Sequence, residues 1–317
     1  VGAAGNAVEV RGLRKSYRDA AAVQGIDFEI RPGEIFALLG PNGAGKTTTV
    51  EILEGYRDRD AGEVQVLGFD PGRHARSLRE RIGIVLQKTG VDQYLTVAEL
   101  IAMYSGYYPR RRPVDEVVEL VGLQDKRDTR AIRLSGGQQR RLDVAIALAG
   151  DPDLLFLDEP TTGFDPAARR EAWEIVKNLA AIGKTVLLTT HFMDEAQYLA
   201  DRVAVIAGGR IVATGTPESL GGRDAATAVV RFRLPDGLGP PPAFPATATP
   251  DGGFEWAPAE VTRELHELTG WALDKGIELE ALQIVRPSLE DVYLQLTGSP
   301  AAPEEGGGGR RRRRRAR

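Results

Sequence analysis

Residues Ile35–Gly40 read IFALLG and run directly into GPNGAGKT, Gly40–Thr47, which is followed by TTTVEILEGY. A short continuous apolar run predicts a strand covered on both faces, and the stretch after the loop predicts a helix. Between them stands the phosphate-loop pattern G-x-x-x-x-G-K-[ST], in the strand–loop–helix context that gives this pattern its meaning. Gly40, Gly43 and Gly45 leave backbone N–H groups free to close around an anion, and the helix N-terminus adds its dipole. Pro41, Asn42, Ala44 and Thr48 complete the candidate lining. Lys46 is expected to bridge the β- and γ-phosphates of a nucleoside triphosphate, and the Thr47 hydroxyl to hold Mg²⁺.

Four further motifs follow in order. LLFLDE, Leu154–Glu159, predicts a buried strand that delivers Asp158 to the metal and leaves Glu159 to polarise an attacking water. Two adjacent carboxylates at a buried strand end repel each other unless a cation or solvent is present, so the pair itself argues for a metal. LSGGQ, Leu134–Gln138, places Ser135 as the cap of a helix over about Gly136–Leu148, with the Gly136 and Gly137 amides free to face an anion. A plain capped helix start would read the same way. Gln87 closes RIGIVLQ and His191 closes TVLLTTH, both at the ends of expected strands.

The 317 residues allow one large domain and one small one. There is no cysteine, which excludes disulfides, thiolate zinc sites and thiol catalysis and fits a reducing compartment. The chain opens without a secretory signal pattern, and no apolar run reaches the ~18 residues that a membrane span needs. The net charge of −4 conceals an asymmetry, because seven of the 41 basic residues lie in Arg310–Arg317. The remainder has 34 basic against 45 acidic residues, a net charge of −11, which argues against general nucleic-acid binding.

Residues 1–222 read as alternating strands and helices, with a mostly helical insert within about 91–150. Asp165-Pro166 begins one helix that Gly183 stops, Pro113 begins another, and Arg202–Gly215 predicts a hairpin turning at Gly208-Gly209. Composition changes after Leu220. Residues 236–253 hold five prolines and four glycines and are read as an irregular linker. Residues 223–298 are otherwise a small α+β unit: a helix with Val261, Leu265, Leu268 and Ala272 on one face, a half-buried strand IELEALQIV (277–285) and a closing helix PSLEDVYLQLTG (287–298). Residues 299–317, with their glycine and arginine runs, read as disordered.

These motifs, and LSGGQ above all, resemble the ATP-binding cassette (ABC) ATPase subunits over roughly Val8–Leu220. The resemblance implies a RecA-like α/β phosphate-loop core with an antiparallel β subdomain and a helical subdomain. It also implies two ATP molecules sandwiched between paired copies, with Ser135, Gly136, Gly137 and Gln138 closing over the γ-phosphate held by the other copy. By the same resemblance Gln87 senses Mg²⁺ and water and contacts a membrane partner, His191 contacts the γ-phosphate, Asp165 in TTGFDP speaks across the dimer, and Tyr17 stacks on adenine with weaker support from Val23. Phe164 departs from the leucine of many relatives. PSLEDVYLQLTG is similar to the ending of stand-alone ATPases of ABC-2-type exporters, the daunorubicin-resistance group among them. The expected function is therefore a peripheral ATPase on the cytoplasmic face of the membrane that drives export through a separate permease. The arginine run is a candidate contact for anionic lipid. An import ATPase, or a soluble cassette on ribosome or DNA, stays as the alternative.

Overall fold

The computed structural model describes residues 5–18, 20–85, 90–220, 228–235, 238–240, 244–249, 252–285 and 293. Gln87, the closing helix apart from Tyr293, and the tail 299–317 with Arg310–Arg317 lie outside the described residues.

Two sheets build the first 220 residues. β1 (Val8–Tyr17), β2 (Ala20–Ile30) and β4 (Ala61–Val66) form an antiparallel sheet in the order β2-β1-β4. The six-stranded sheet takes β3 (Ile35–Leu39), β5 (Ile82–Val85), β6 (Leu154–Asp158), β7 (Thr185–Thr190), β8 (Arg202–Ala207) and β9 (Arg210–Gly215) in the order β5-β6-β7-β3-β8-β9. All its pairings are parallel except the β8–β9 hairpin, whose tip is Gly208-Gly209 as expected. The continuous apolar runs have a direct cause. Ile35, Ala37 and Leu39 of β3 enter one core layer, while Phe36 and Leu38 enter the other. Leu155 and Leu157 against Leu154 and Phe156 divide β6 in the same way. Each fully buried leucine of this kind contributes about 2 kcal/mol to folding.

Helices cover the faces. α1 (Lys46–Leu53) packs beside β2 and β4, and α2 (Ala75–Arg79) beside β5. The helical region contains α3 (Val97–Ser105), α4 (Val114–Leu120) and α5 (Gly136–Leu148), which pack on one another. α3 begins with a capping box between Thr96 and Glu99. Pro113 sits at the N-cap of α4, one position before the first turn, where its extended ψ of 137° feeds the helix without entering it. α6 (Pro166–Ala181) follows the Asp165 cap, which accepts hydrogen bonds from the Ala167 and Ala168 amides at 2.9 Å. α7 (Met193–Leu199) returns the chain to the sheet.

The C-terminal unit has its own core of Val230, Phe232, Leu234, Phe244, Trp256 and Leu268. Its sheet runs β11-β12-β10-β13, built from β10 (Val229–Arg233), β11 (Thr247–Ala248), β12 (Phe254–Trp256) and β13 (Glu280–Val285), with α8 (Val261–Asp274) on the apolar side. Two expectations are corrected here. The linker 236–253 is not wholly irregular: Thr247 and Ala248 pair with Glu255 and Phe254, because a Gly252 turn closed by the Gly253 amide on Thr249 folds them back. The strand expected from residue 277 begins at Glu280, and its alternation is broken where Ala281 adopts φ +49°. β10 and β12 were not anticipated, since runs of five and three residues carry little periodic signal. Tyr293 is buried against the core of the first region.

Candidate functional site

In the order β6-β7-β3 the strands are parallel neighbours, so their C-terminal ends lie side by side on one edge of the sheet. That edge is where open α/β sheets bind ligands. β3 ends at the phosphate loop, β6 at Asp158 and Glu159, and β7 at His191. Residues more than 100 positions apart in the chain thus meet for a topological reason.

The loop is shaped by close backbone approach. A Cβ on Gly40 would meet the Ile206 carbonyl oxygen at 2.3 Å, and one on Gly45, at φ +107°, would meet the Ala22 carbonyl oxygen at 2.4 Å. Neither position accepts a side chain. Pro41, Asn42, Gly43 and Thr47 are exposed, Thr48 is half-buried, and Ala44, Gly45 and Lys46 are buried. Lys46 Nζ donates to the Gly40 carbonyl at 2.7 Å and to the Pro41 carbonyl at 3.3 Å, and lies 3.5 Å from Glu159 Oε1. Burial pulls the Lys46 ammonium below the usual lysine range, and the charge of Glu159 opposes that fall.

Glu159 carries the strained backbone of the site. Its φ of +46° is uncommon for a side chain with a Cβ and costs on the order of 1–3 kcal/mol. The conformation is held by its N–H, which reaches both the carbonyl and the hydroxyl oxygen of Thr189 at 3.1 Å. The bend turns the carboxylate back along the edge, where Oε1 is 3.2 Å from His191 Nδ1 and Oε2 accepts from the Thr162 hydroxyl at 3.2 Å. Thr189 also donates its hydroxyl to Asp158 Oδ1. One threonine therefore fixes both carboxylates. Thr189 and Thr162 carried no motif signal, because a threonine in a strand or a turn is ordinary until its neighbours are known.

At the start of α5, Ser135 and Gln138 form a reciprocal capping box, with the Gln138 amide on Ser135 Oγ at 3.3 Å and the Ser135 amide on Gln138 Oε1 at 3.1 Å. Ser135 and Gly136 are exposed. α5 packs on α3, α4, α6 and β5, and Gly136 at its tip and Glu159 line one open cavity. Asp165 is exposed and engaged in its cap. Tyr17 pairs with Ala20 across β1–β2, two residues from the Ala22 carbonyl that abuts Gly45, and one of its faces looks onto the Arg57 guanidinium at 5.1 Å. Val23 is 1% exposed and belongs to the core, so its expected part beneath an adenine is corrected: no side-chain surface is left to meet a base.

Two buried acids escaped sequence reading. Glu195 of α7 accepts from the Thr161 hydroxyl at 2.8 Å and from Trp173 Nε1 at 3.1 Å. Glu54, at the end of α1, is pushed up to about 8 by burial, with the charges of Asp158 and Glu51 adding to the effect. A carboxyl whose folded pKa exceeds its unfolded one costs stability as pH rises from about 4.5 to about 8. Glu54→Gln is therefore expected to match the parent at pH 4.5 and to exceed it by on the order of 4 kcal/mol at pH 8.5, as read by denaturant unfolding. An equal difference at both pH values would contradict that assignment.

A phosphate loop, an Asp-Glu pair and a histidine on one sheet edge define a phosphate-loop nucleotide hydrolase. The comparisons with known proteins carry this to a family. The ABC transporter model matches residues 23–162, and the model described as the ABC transporter domain-containing protein-like, C-terminal domain matches residues 228–288. The daunorubicin resistance ATP-binding protein DrrA3 of Streptomyces coeruleorubidus is 38% identical over 306 residues, covering 93% of this chain and 97% of that protein. The Nod factor export ATP-binding protein I of Paraburkholderia xenovorans (strain LB400) is 44% identical over 235 residues, covering 73% and 77%. Among solved structures, cbiO1 of Clostridium perfringens, part of the ABC transporter complex cbiONQ, is 30% identical with a TM-score of 0.59, covering 68% of this chain and 90% of that one. The chain belongs to the ATP-binding subunits of ABC transporters. It is an ATPase with a RecA-like phosphate-loop core, a β subdomain, a helical subdomain and a small α+β C-terminal unit.

Proposed function

We propose that this chain powers export of a small molecule (drug, antibiotic or lipid-like) through a separate membrane-spanning permease, as a homodimer on the cytoplasmic face of the membrane. The observation that carries this is the nearly end-to-end match to a daunorubicin resistance ATP-binding protein, C-terminal unit included. Among the described residues no helix is long and apolar enough to cross a membrane. The division into residues 1–222, 223–298 and a tail 299–317 belongs to the same proposal.

Within the site, the amides of Gly40–Thr48 cradle the β- and γ-phosphates and Lys46 moves its ammonium from the loop carbonyls onto them. Thr47 and Asp158 offer a hydroxyl and a carboxylate, and with Gln87 they fit a hard cation that keeps phosphate and water ligands. Among the described residues no group of three acidic, histidine or cysteine side chains competes as a metal cage. Mg²⁺, when bound, neutralises charge on the transferred phosphoryl group. Glu159 orients and deprotonates the attacking water, and His191, held to it at 3.2 Å, donates toward the γ-phosphate. Ser135–Gln138 close over the triphosphate of the second copy, Asp165 lies in the loop between the sites, and Tyr17, 37% exposed, stacks on adenine.

The docking place of the permease is part of the same proposal. A groove of about 910 Å³ lies between the core and the helical region, lined by Ile84, Gly90, Val91, Tyr56, Tyr104 and Tyr107. Tyr56 and Tyr107 are 63% and 74% exposed, amphipathic rings of the kind that anchor interfaces. We assign the groove to a cytoplasmic helix of the permease. Tyr56→Arg with Tyr107→Arg should release the chain from permease-containing vesicles into the soluble fraction while solution ATPase activity is retained. Retention on the vesicles would place the partner elsewhere.

A further inference from the structure

Arg140 lies in the second turn of α5 and is only 9% exposed. A guanidinium stays charged and carries five donors, so burying it requires acceptors of matching geometry. It finds them on the main chain at the end of β6. Nε donates to the Pro160 carbonyl at 3.1 Å and Nη2 to the Asp158 carbonyl at 3.3 Å, while Nη1 lies 3.6 Å from Asp143 one turn further along α5. The two carbonyls bracket Glu159, the residue whose backbone is strained. The same segment is pinned on its other side by Thr189 on Asp158 and Glu159, and by Glu195 on Thr161.

We propose that Arg140 is a positioning residue that couples the serine-glycine tip of α5 to the orientation of Glu159 in the same chain. The inference rests on the reading that this tip serves the second copy's nucleotide. Arg140 is five positions along the helix from Ser135, about 7.5 Å of stiff rod. Movement of the tip onto a neighbouring γ-phosphate is transmitted along that rod to the guanidinium, and through two directed hydrogen bonds to the Asp158–Glu159 peptide and to the Pro160–Thr161 peptide just beyond Glu159. A side chain that merely filled volume would not do this. Paired donors to backbone carbonyls fix direction as well as distance. Each chain then reports the closure of one site to the carboxylate of the other, and hydrolysis becomes cooperative in ATP.

Arg140→Met in the full chain keeps the apolar stem and removes the hydrogen bonds to the Asp158 and Pro160 carbonyls; Arg140→Lys keeps the charge beside Asp143 but concentrates its donors on a single nitrogen. Binding of a fluorescent ATP analogue is expected to stay within about twofold of the parent for both. Arg140→Met should lower kcat at least tenfold with KM changed less than threefold, and bring the Hill coefficient for ATP from above 1 to about 1. Arg140→Lys should recover part of both. Combined with Glu159→Gln, Arg140→Met should still dimerise on ATP, because the tip itself is intact. A parent Hill coefficient of 1, or a fall in kcat with an unchanged Hill coefficient, overturns the coupling role. So does a loss of analogue binding in step with kcat for both variants, which would mark Arg140 as structural only. Failure of the two-copy reading shows separately, as Glu159→Gln alone staying monomeric with saturating ATP.

Discussion

Glu159→Gln is expected to bind ATP as the parent does, to lose turnover by a factor of about 100 or more, and to accumulate as a nucleotide-bound dimer. The size follows from removing a general base while keeping the shape of the residue that carried it, a loss of about 3 kcal/mol or more in transition-state stabilisation. Glutamine can still occupy the φ of +46° held by Thr189 and can still accept from the Thr162 hydroxyl, so the edge of the sheet should keep its form. It has no basic oxygen with which to take a proton from water. The amide also removes the negative charge 3.5 Å from Lys46, which frees the ammonium for the triphosphate and favours retention of ATP. Sedimentation with saturating ATP and Mg²⁺ reads the dimer, and a phosphate-release assay reads the turnover. Undiminished phosphate release would remove Glu159 from the part assigned to it.

The second large effect is expected at the other end of the sandwich. Ser135→Arg should abolish turnover, by about 100-fold or more, with nucleotide affinity at the phosphate loop changed little. The substitution removes the hydroxyl that caps α5 and places a long cation where two glycine amides should meet the partner's γ-phosphate. Loss of the cap by itself costs only about 1 kcal/mol of helix stability, too little to unfold a chain with cores of this extent. By the proposed two-copy reading the substituted tip faces the partner's triphosphate, while Lys46 on α1 holds the chain's own. Equal loss of binding and turnover would show that the tip serves its own chain. A mixed dimer of parent and Ser135→Arg chains sharpens the reading: half of the sites keep an intact tip opposite.

Much of the site was legible because its chemistry is local. A loop that wraps a phosphate needs its glycines, lysine and threonine within eight residues, and a strand that presents an Asp-Glu pair needs an apolar run just before it. Caps behave alike, since Ser135 with Gln138 and Asp165 with the Ala167 and Ala168 amides act across two or three positions. The C-terminal unit was less legible. There β10, β11 and β12 are five, two and three residues long, and each becomes a strand only because another stands beside it. Val23 shows the same limit from the other side: a valine near the loop suits a base or a core equally, and burial decides.

The sequence by itself determined which groups reach the C-terminal edge of a parallel sheet, since each motif ends an apolar run and direction along a strand is a property of the chain. Only the tertiary structure decided which of them touch. Strand order put β7 between β6 and β3, which made Thr189 the clasp on Asp158 and Glu159 and set His191 and Lys46 within 3.2 and 3.5 Å of one carboxylate oxygen. Packing of α5 against that edge brought Arg140 onto the Asp158 and Pro160 carbonyls. The physical reason is range: hydrogen bonds and charge interactions between distant residues depend on closing long loops, and no local periodicity records which loops close.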